Sequence, residues 1–538
     1  MPVVWGHVEG VVPIFQLVEG CSISNYQDHN DMEVTSINLP DILPEDSFTR
    51  LRVYSSFVKS LEIFGSRPGI HYAMTNAPVL LSYTDHHELL PNLSKLTMDI
   101  QYSWMIAYFF WFRVFASHSL REIRPLVRRY DGIPFVPISV ASSLVMSVVQ
   151  RCPPVDTLGL FVRDDLLGES DHDLEHLAFV DNSEPLAQVL VQAKTLVNVV
   201  GSALLFDPTI FAALGQLPLL ARLEVRYGER DEEEMPITLP THIEAGAFLS
   251  LKCVVLFNVT DADIGFFWRQ PLLVKNLMTI QITFHNDLAS PHHRWIQQEL
   301  VPLISRNSPK INELAFDFEV DTMLEDENAP FMFRISEETF GTIMGLSLTK
   351  LDLSRTRLNL PEGIARLATA WPKMEVLRWT AQHVTLDDLC LFAQHMPHLR
   401  ELALEIRMAP LPEEFDFDRI ASVRRPALQT LESGFHRICE LTPQQGSRIC
   451  QYLRQVWPNM RFTTRADLWR DDTPAWKMDL KVLDLLNNPS VSVSRGGAPP
   501  DSGEPLSTEE AVQIIWGMNE THPGAWQSLV RRLPPEAT

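Results

Sequence analysis

The sequence predicts an α/β fold made of one strand and one helix repeated many times over, with the strands parallel. Three observations predict it. A fixed apolar spacing recurs through most of the chain, a proline stands two residues ahead of many copies, and helix-start signals fall between the copies.

The spacing is an apolar residue, two variable ones, a second apolar residue, one variable, and a third apolar residue. It is read at Val58-Leu61-Ile63, Leu93-Leu96-Met98, Val155-Leu158-Leu160, Leu220-Leu223-Val225, Leu251-Val254-Leu256 and Leu277-Ile280-Ile282. It continues at Ile311-Leu314-Phe316, Leu348-Leu351-Leu353, Met374-Leu377-Trp379 and Leu399-Leu402-Leu404, with weaker copies starting at Leu120, Leu196, Leu428 and Met460. This is the strand signature of leucine-rich repeats. The fourteen copies recur at a mean of about 31 residues, with intervals from 24 to 41, enough for one strand and one helix each.

Eight copies are preceded by proline, at Pro91, Pro153, Pro218, Pro309, Pro372, Pro397, Pro426 and Pro458. Proline cannot continue a helix, restricts its predecessor to extended geometry, and is tolerated at the first residue of a strand, so it marks the helix-to-strand handover. Between copies, Asp207-Pro208-Thr209 opens a helical run through Leu217, and Thr385-Leu386-Asp387-Asp388 opens one through Met396. The second and third apolar positions must bury against their equivalents in neighbouring units. The fold class is therefore an irregular leucine-rich repeat solenoid, a curved parallel sheet with outer helices. The irregularity is expected because the slot that usually holds asparagine carries Gln101, His285, Thr356, Gln382, Arg407 and His436.

Residues 1–50 read as an N-terminal segment leading into the array, with a helical stretch around Val11 to Glu19, and residues 51–470 as the array itself. Residues 471–486 form a C-terminal extension, 487–507 a Pro-, Gly- and Ser-rich flexible linker, and 508–538 a short helical tail. The most apolar stretch, Trp104 to Phe112, is nine residues long, too short to span a bilayer, and Gln192, Lys194 and Asn198 interrupt Val189 to Phe206. Both are expected in the core, and no membrane partner is expected.

A formal net charge of −23 repels phosphate backbones, so nucleic acid is not an expected partner. The six cysteines, Cys21, Cys152, Cys253, Cys390, Cys439 and Cys450, lie far apart without a CxxC pair, and no secretory signal is readable, which places the protein in the cytoplasm or nucleus. No short catalytic signature is present: no GxSxG, GxxxxGK[ST], HExxH or strand-linked GxGxxG. His86-His87 and His292-His293 are adjacent in sequence and cannot share one helix face as metal ligands do. Acidic Glu229 to Glu234 and Glu325 to Glu327 read as solvated loops. No catalytic residue, metal or cofactor is expected.

The face that remains is made of strand positions alternating with the buried leucines. Early copies contribute Lys95, Thr97, Asp99, Glu122 and Arg124. The middle contributes Arg222, Glu224 and Arg226, then Cys253, Val255 and Phe257, then Thr279, Gln281 and Thr283. Cys253 reads as a small half-buried thiol, and Val255 with Phe257 as an exposed apolar patch able to anchor a partner. Later copies contribute Glu313, Asp317, Lys350, Asp352, Arg378, Glu401, Glu405 and Glu432. Acidic residues dominate this last group, which favours a basic protein partner.

Several segments resemble the fungal family of F-box proteins with irregular leucine-rich repeats. The likeness rests on Trp5-Gly6-His7-Val8-Glu9-Gly10-Val11-Val12-Pro13, on Leu51-Arg52-Val53-Tyr54 with Phe57 to Ile63, and on Leu90-Pro91-Asn92-Leu93-Ser94-Lys95-Leu96-Thr97. It implies a substrate receptor of a cullin-RING ubiquitin ligase, in which the F-box docks the ligase adaptor and the repeats select the substrate. Leu39-Pro40-Asp41-Ile42-Leu43 resembles the opening of an F-box, but a repeat strand follows too soon for its three helices. The F-box reads as missing, and the adaptor is a partner only where an F-box exists. The alternatives are an enzyme with a site built from dispersed loops and a repeat scaffold unrelated to ubiquitination.

Overall fold

The computed structural model describes residues 5–27, 33–63, 71–98, 105–125, 136–163, 185–227, 243–286, 292–320, 333–358, 363–407, 428–433 and 443–463. The chain divides into two compact units. The first comprises Met1–His285 with Asn307–Pro309, the second Asn286–Arg306 with Lys310–Thr538.

In chain order the first unit contains β1 (His7–Glu9), β2 (Ser22–Gln27), β3 (Glu33–Asn38), β4 (Ser60–Ile63), β5 (His71–Thr75), β6 (Lys95–Met98) and β7 (Glu122–Pro125). It continues with β8 (Val136–Pro137), β9 (Thr157–Leu160), β10 (Val162–Arg163), β11 (Asn198–Ser202), β12 (Arg222–Arg226), β13 (Cys253–Phe257) and β14 (Thr279–Asn286), which ends at the boundary. The order β1, β4, β6, β7, β9, β11, β12, β13, β14 forms one sheet, parallel at every pairing. Register places the second apolar position of each repeat opposite that of the next. Leu61, Leu96, Ile123, Leu158, Val199, Leu223, Val254 and Ile280 form an unbroken ladder, and none is more than 1% exposed.

The second unit repeats the design with β15 (Glu313–Val320), β16 (Phe333–Ile335), β17 (Lys350–Leu353), β18 (Thr356–Leu358), β19 (Val376–Val384), β20 (Glu401–Ile406), β21 (Thr430–Glu432) and β22 (Arg461–Thr463). Its ladder runs Leu314, Leu351, Leu377, Leu402, Leu431, Phe462. All six are buried. Truncating such a rung to alanine removes apolar contact and leaves a cavity that two flanking repeats share, a loss of about 2–5 kcal/mol.

A backbone device recurs at each strand entry. One carbonyl of the preceding strand's lead-in accepts two successive N–H groups of the next, as Lys59 O does from Ser94 N at 2.9 Å and Lys95 N at 3.0 Å. The same double acceptance is made by the carbonyls of Ser94, Arg121, Asp156, Val197, Ala221 and Lys252 in the first unit and of Asn312, Thr349, Glu375 and Arg400 in the second. It satisfies polar groups at the point where the chain leaves the turn, which a buried strand end requires.

Helices cover the connections. Ala77–Thr84, Met105–Phe115, Ile138–Arg151, Leu186–Gln192 and Pro208–Gly215 pack each against the next. The Asp207 side chain accepts from Thr209 N and Ile210 N to start Pro208–Gly215. Thr385 and Asp388 form a reciprocal capping box on Leu386–His395. Both starts lie where the sequence places them. Of the Trp104 to Phe112 stretch, Phe109, Trp111 and Phe112 are buried on the helix Met105–Phe115, and Val189 to Phe206 divides into a helix end, β11 and a 3-10 turn.

Other expectations change. The helical stretch around Val11 to Glu19 is a single turn, Val12–Phe15, because Gly20 (φ 80°) and the turns before it end it early. Residues after Leu39 form a 3-10 turn at Glu45–Phe48 and the helix Thr49–Ser55 before β4. The main sheet already includes β1, within the segment assigned to the lead-in. Small accessory sheets absent from the sequence reading are also present: β2 antiparallel to β3 with β5 parallel to it, β8 with β10, and β16 with β18. Asp99, Gln101, His436, Cys439, the acidic stretches at 229–234 and 325–327, and the extension, linker and tail at 471–538 lie outside the described residues. Among the described residues no helix is long and apolar enough to cross a membrane.

Candidate binding face

In the first unit, strands β12 to β14 align three rows across the sheet. Arg222, Cys253 and Thr279 form one, Glu224, Val255 and Gln281 the next, and Arg226, Phe257 and Thr283 the third. Alternation along β12 puts Arg222, Glu224 and Arg226 on the same face. The two guanidiniums close on the carboxylate from both sides, with Arg222 Nη2 at 3.0 Å from Glu224 Oε2 and Arg226 Nη2 at 2.7 Å from Oε1. The Glu224 side chain is only 7% exposed. Burial pushes its carboxyl upward, but the charges and hydrogen bonds of Arg226 and Arg222 outweigh burial and hold it below the usual carboxylate range.

The same arginines reach across to β13. Arg222 Nη1 donates to Cys253 Sγ at 3.2 Å, and the Arg226 guanidinium lies over the Phe257 ring, 5.1 Å from its centroid. Burial works against the Arg222 charge, while Cys253 and Glu224 together raise its pKa above the ordinary value. Cys253 is half-buried, as the sequence suggests.

Val255 is corrected. Expected to be exposed, it is 4% exposed. It sits in register between Glu224 and Gln281, and the guanidiniums that settle on Cys253 and Phe257, two residues to either side, bracket it. The apolar anchor therefore shrinks to half-buried Phe257 beneath Arg226. Thr279 is half-buried, Gln281 exposed, and Thr283 buried. Toward the start of the unit, Glu122 pairs with Lys95 at 3.2 Å and with Arg124 at 3.0 Å, and Thr97 is buried at 9% exposure.

In the second unit the rows are Glu313, Lys350, Val376, Glu401, Thr430 and, beside it, Ala315, Asp352, Arg378, Ala403, Glu432. Lys350 Nζ meets Glu313 at 2.8 Å. Arg378 stands in register beside Asp352 and reaches Glu401 at 3.1 Å and Glu432 at 3.8 Å. Burial disfavours its charge, and Glu401, Glu432 and Asp352 outweigh that and raise its pKa. Asp317 lies further along β15 and is half-buried. Glu405 lies on the same face of β20 as Glu401, four residues on. A register shift between Trp379 and His383 in β19 places His383 opposite it.

The network character of these residues was missed in the sequence, although Arg222-Leu223-Glu224-Val225-Arg226 carries its signal, since period-two alternation brings the three ionic groups together. Of the adjacent histidines, His87 stacks on Tyr83 at 4.6 Å and reaches Glu45 at 3.6 Å. Among the described residues, no group of histidine, cysteine and carboxylate side chains is placed to hold a metal.

The described residues thus define a mixed α/β protein with a large parallel sheet, helices on its connections, and a polar, ion-paired strand face. No family model and no curated protein matches the chain. Among solved structures, the crystal structure of a TLR13–ssRNA13 complex matches at 9% sequence identity, covering 82% of this chain and 66% of that one, with a TM-score of 0.28.

Proposed function

We propose that the protein is a non-catalytic interaction protein built of irregular leucine-rich repeats, whose strand faces bind another polypeptide. The observation that supports this is the pair of in-register apolar ladders. They take up the aliphatic positions of each repeat and leave a strand face of oriented ionic groups, Arg222, Glu224 and Arg226 in one unit and Asp352, Arg378, Glu401 and Glu432 in the other. An arginine over an aromatic ring and fixed ion pairs give such a face specificity rather than reactivity. The boundaries of the array, at residues 51–470, belong to the same proposal, as does a cytoplasmic or nuclear location.

By its resemblance to the fungal F-box proteins with leucine-rich repeats, the chain is further proposed to be the substrate-binding part of a ubiquitin-ligase receptor. Its partner would be a basic protein that meets the acidic face of the second unit. Affinity capture of the full chain from its own cells, with and without an added F-box, tests both parts. Glu401→Lys with Glu405→Lys is expected to lower retention of the captured protein about tenfold or more. Unchanged retention refutes the acidic face, and absence of the ligase adaptor in both arms refutes the ubiquitin reading.

A further inference from the structure

In a chain of net charge −23, three arginines of the second unit are gathered on one small surface. Parallel pairing of β16 with β18 puts Arg334 beside Arg357, while Phe333, Ile335, Thr356 and Leu358 on the opposite face are buried. Strand spacing of about 4.8 Å makes the two guanidiniums neighbours. The third, Arg407, directly follows β20. Leu358 N donates to Gln382 Oε1 at 2.8 Å and Trp379 Nε1 to Thr356 O at 2.9 Å, which seats β18 against β19. After the register shift in β19, Arg407 N donates to Val384 O at 2.9 Å.

The grouping is electrostatically unfavourable as it stands. Burial, then the charges of Arg407 and Arg334, lower the Arg357 pKa, and the charge of Glu405 opposes them. Arg357 is half-buried, Arg334 and Arg407 are exposed. Among the described residues none of the three arginines forms an ion pair. The scaffold under them is fixed: Gln297 donates to Arg334 O at 3.1 Å and accepts from Ser336 N at 2.8 Å.

We propose that Arg334, Arg357 and Arg407 form a binding site for a phosphoryl group. A guanidinium cannot release its charge near neutral pH and presents paired N–H donors in a rigid plane. Three such forks on neighbouring segments offer more donors than a two-oxygen carboxylate accepts. A phosphoryl group offers three acceptor oxygens and close to two negative charges. The phosphoryl group can come as free phosphate or on a phosphorylated side chain.

The test is calorimetric titration of the full-length chain, at fixed ionic strength, with inorganic phosphate and separately with a short phosphoserine peptide and its unphosphorylated twin. Binding is expected to fall about tenfold or more in each of Arg334→Gln, Arg357→Gln and Arg407→Gln, as loss of a charge-assisted contact implies. Lys252→Gln, an exposed cation of the first unit, is expected to bind like the wild type. Binding of phosphate supports the site with a free oxyanion as ligand. Binding of the phosphopeptide without phosphate supports it with a modified protein as ligand. If Arg357→Gln does not fold, the two exposed variants decide. The assignment is overturned if neither probe binds, if the unphosphorylated peptide binds equally well, or if Lys252→Gln weakens binding as much as the arginine variants.

Discussion

The strand faces of the two units use the same ionic groups in inverse arrangement. On β12 one carboxylate, Glu224, lies between two arginines and is nearly removed from water, its side chain 7% exposed. Across β17 to β21 one arginine, Arg378, lies among three carboxylates, its side chain 42% exposed. Desolvation separates the two. A buried charge whose partner is removed has no water to turn to, whereas an exposed one is rescued by solvent and salt. The first cluster is therefore the more structural of the two, and under the proposed function the second is the more open to a partner.

The sharpest way to break this contrast is Glu224→Ala. It leaves Arg222 and Arg226, whose side chains are 35% and 26% exposed, without the carboxylate they share, and it is expected to destabilise the protein by about 1–3 kcal/mol, measured by urea unfolding of the full chain. A loss under about 1 kcal/mol would place Glu224 in the same class as the exposed pairs. The acid limb offers a second reading of the same group. Because the folded carboxyl is held below its ordinary value of about 4.3, its contribution is fully present above that pH and is lost as pH falls through the folded value. The difference in unfolding free energy between wild type and Glu224→Gln is expected to hold steady above about pH 5 and to close in stronger acid. A gap that widened in acid would mean that the carboxyl is raised rather than lowered.

What the sequence made legible follows from periodicity. Leu223, Val254 and Ile280 fall at the same repeat position, so their alignment could be read before any coordinates. The weaker copies are weak for physical reasons. At Pro125 the third apolar slot holds a residue without an N–H, and the β7 pairing with β9 ends at Ile123. At Gly201 a Cβ would lie 2.5 Å from Leu160 O and 2.8 Å from Leu205 Cδ1, so no larger residue fits. The burial of Val255 was illegible because its place between Glu224 and Gln281 is set by the pairing of three strands distant in the chain. The pairing of His383 with Glu405 was illegible because a bulge in β19 leaves the apolar pattern on either side intact. The doubly accepting carbonyls belong to the backbone, and residue type does not report them.

A smaller effect is expected where local and tertiary signals agree. Thr385 accepts from Asp388 N at 3.3 Å, and Asp388 accepts from Thr385 N at 2.8 Å, so each satisfies an N–H that the helix Leu386–His395 leaves unpaired. Thr385→Ala is expected to lower stability by about 1 kcal/mol, read as a fall in the urea midpoint at constant slope. Since this helix packs against Gly363–Ala370 in the same unit, amide exchange should quicken at its first turn before it does elsewhere. Exchange quickening equally along its whole length would mean that the cap holds the helix in place and does more than close its end.

The smallest expected effect sharpens the contrast from the other side. Arg378→Gln removes the hub of the second face, yet its contacts with Glu401 and Glu432 are solvated, the Glu401 side chain being 43% exposed. Exposed pairs contribute about 0.2–1 kcal/mol and weaken with salt. The variant is expected to lose no more than that in stability at low salt, and less at high salt, while the local surface becomes more acidic by one charge. Under the proposed function, retention of a basic partner should then hold or rise, because Asp352, Glu401 and Glu432 are released from a competing cation. A stability loss as large as that of Glu224→Ala would show that Arg378 is desolvated in the folded protein. The second face would then be a structural element like the first.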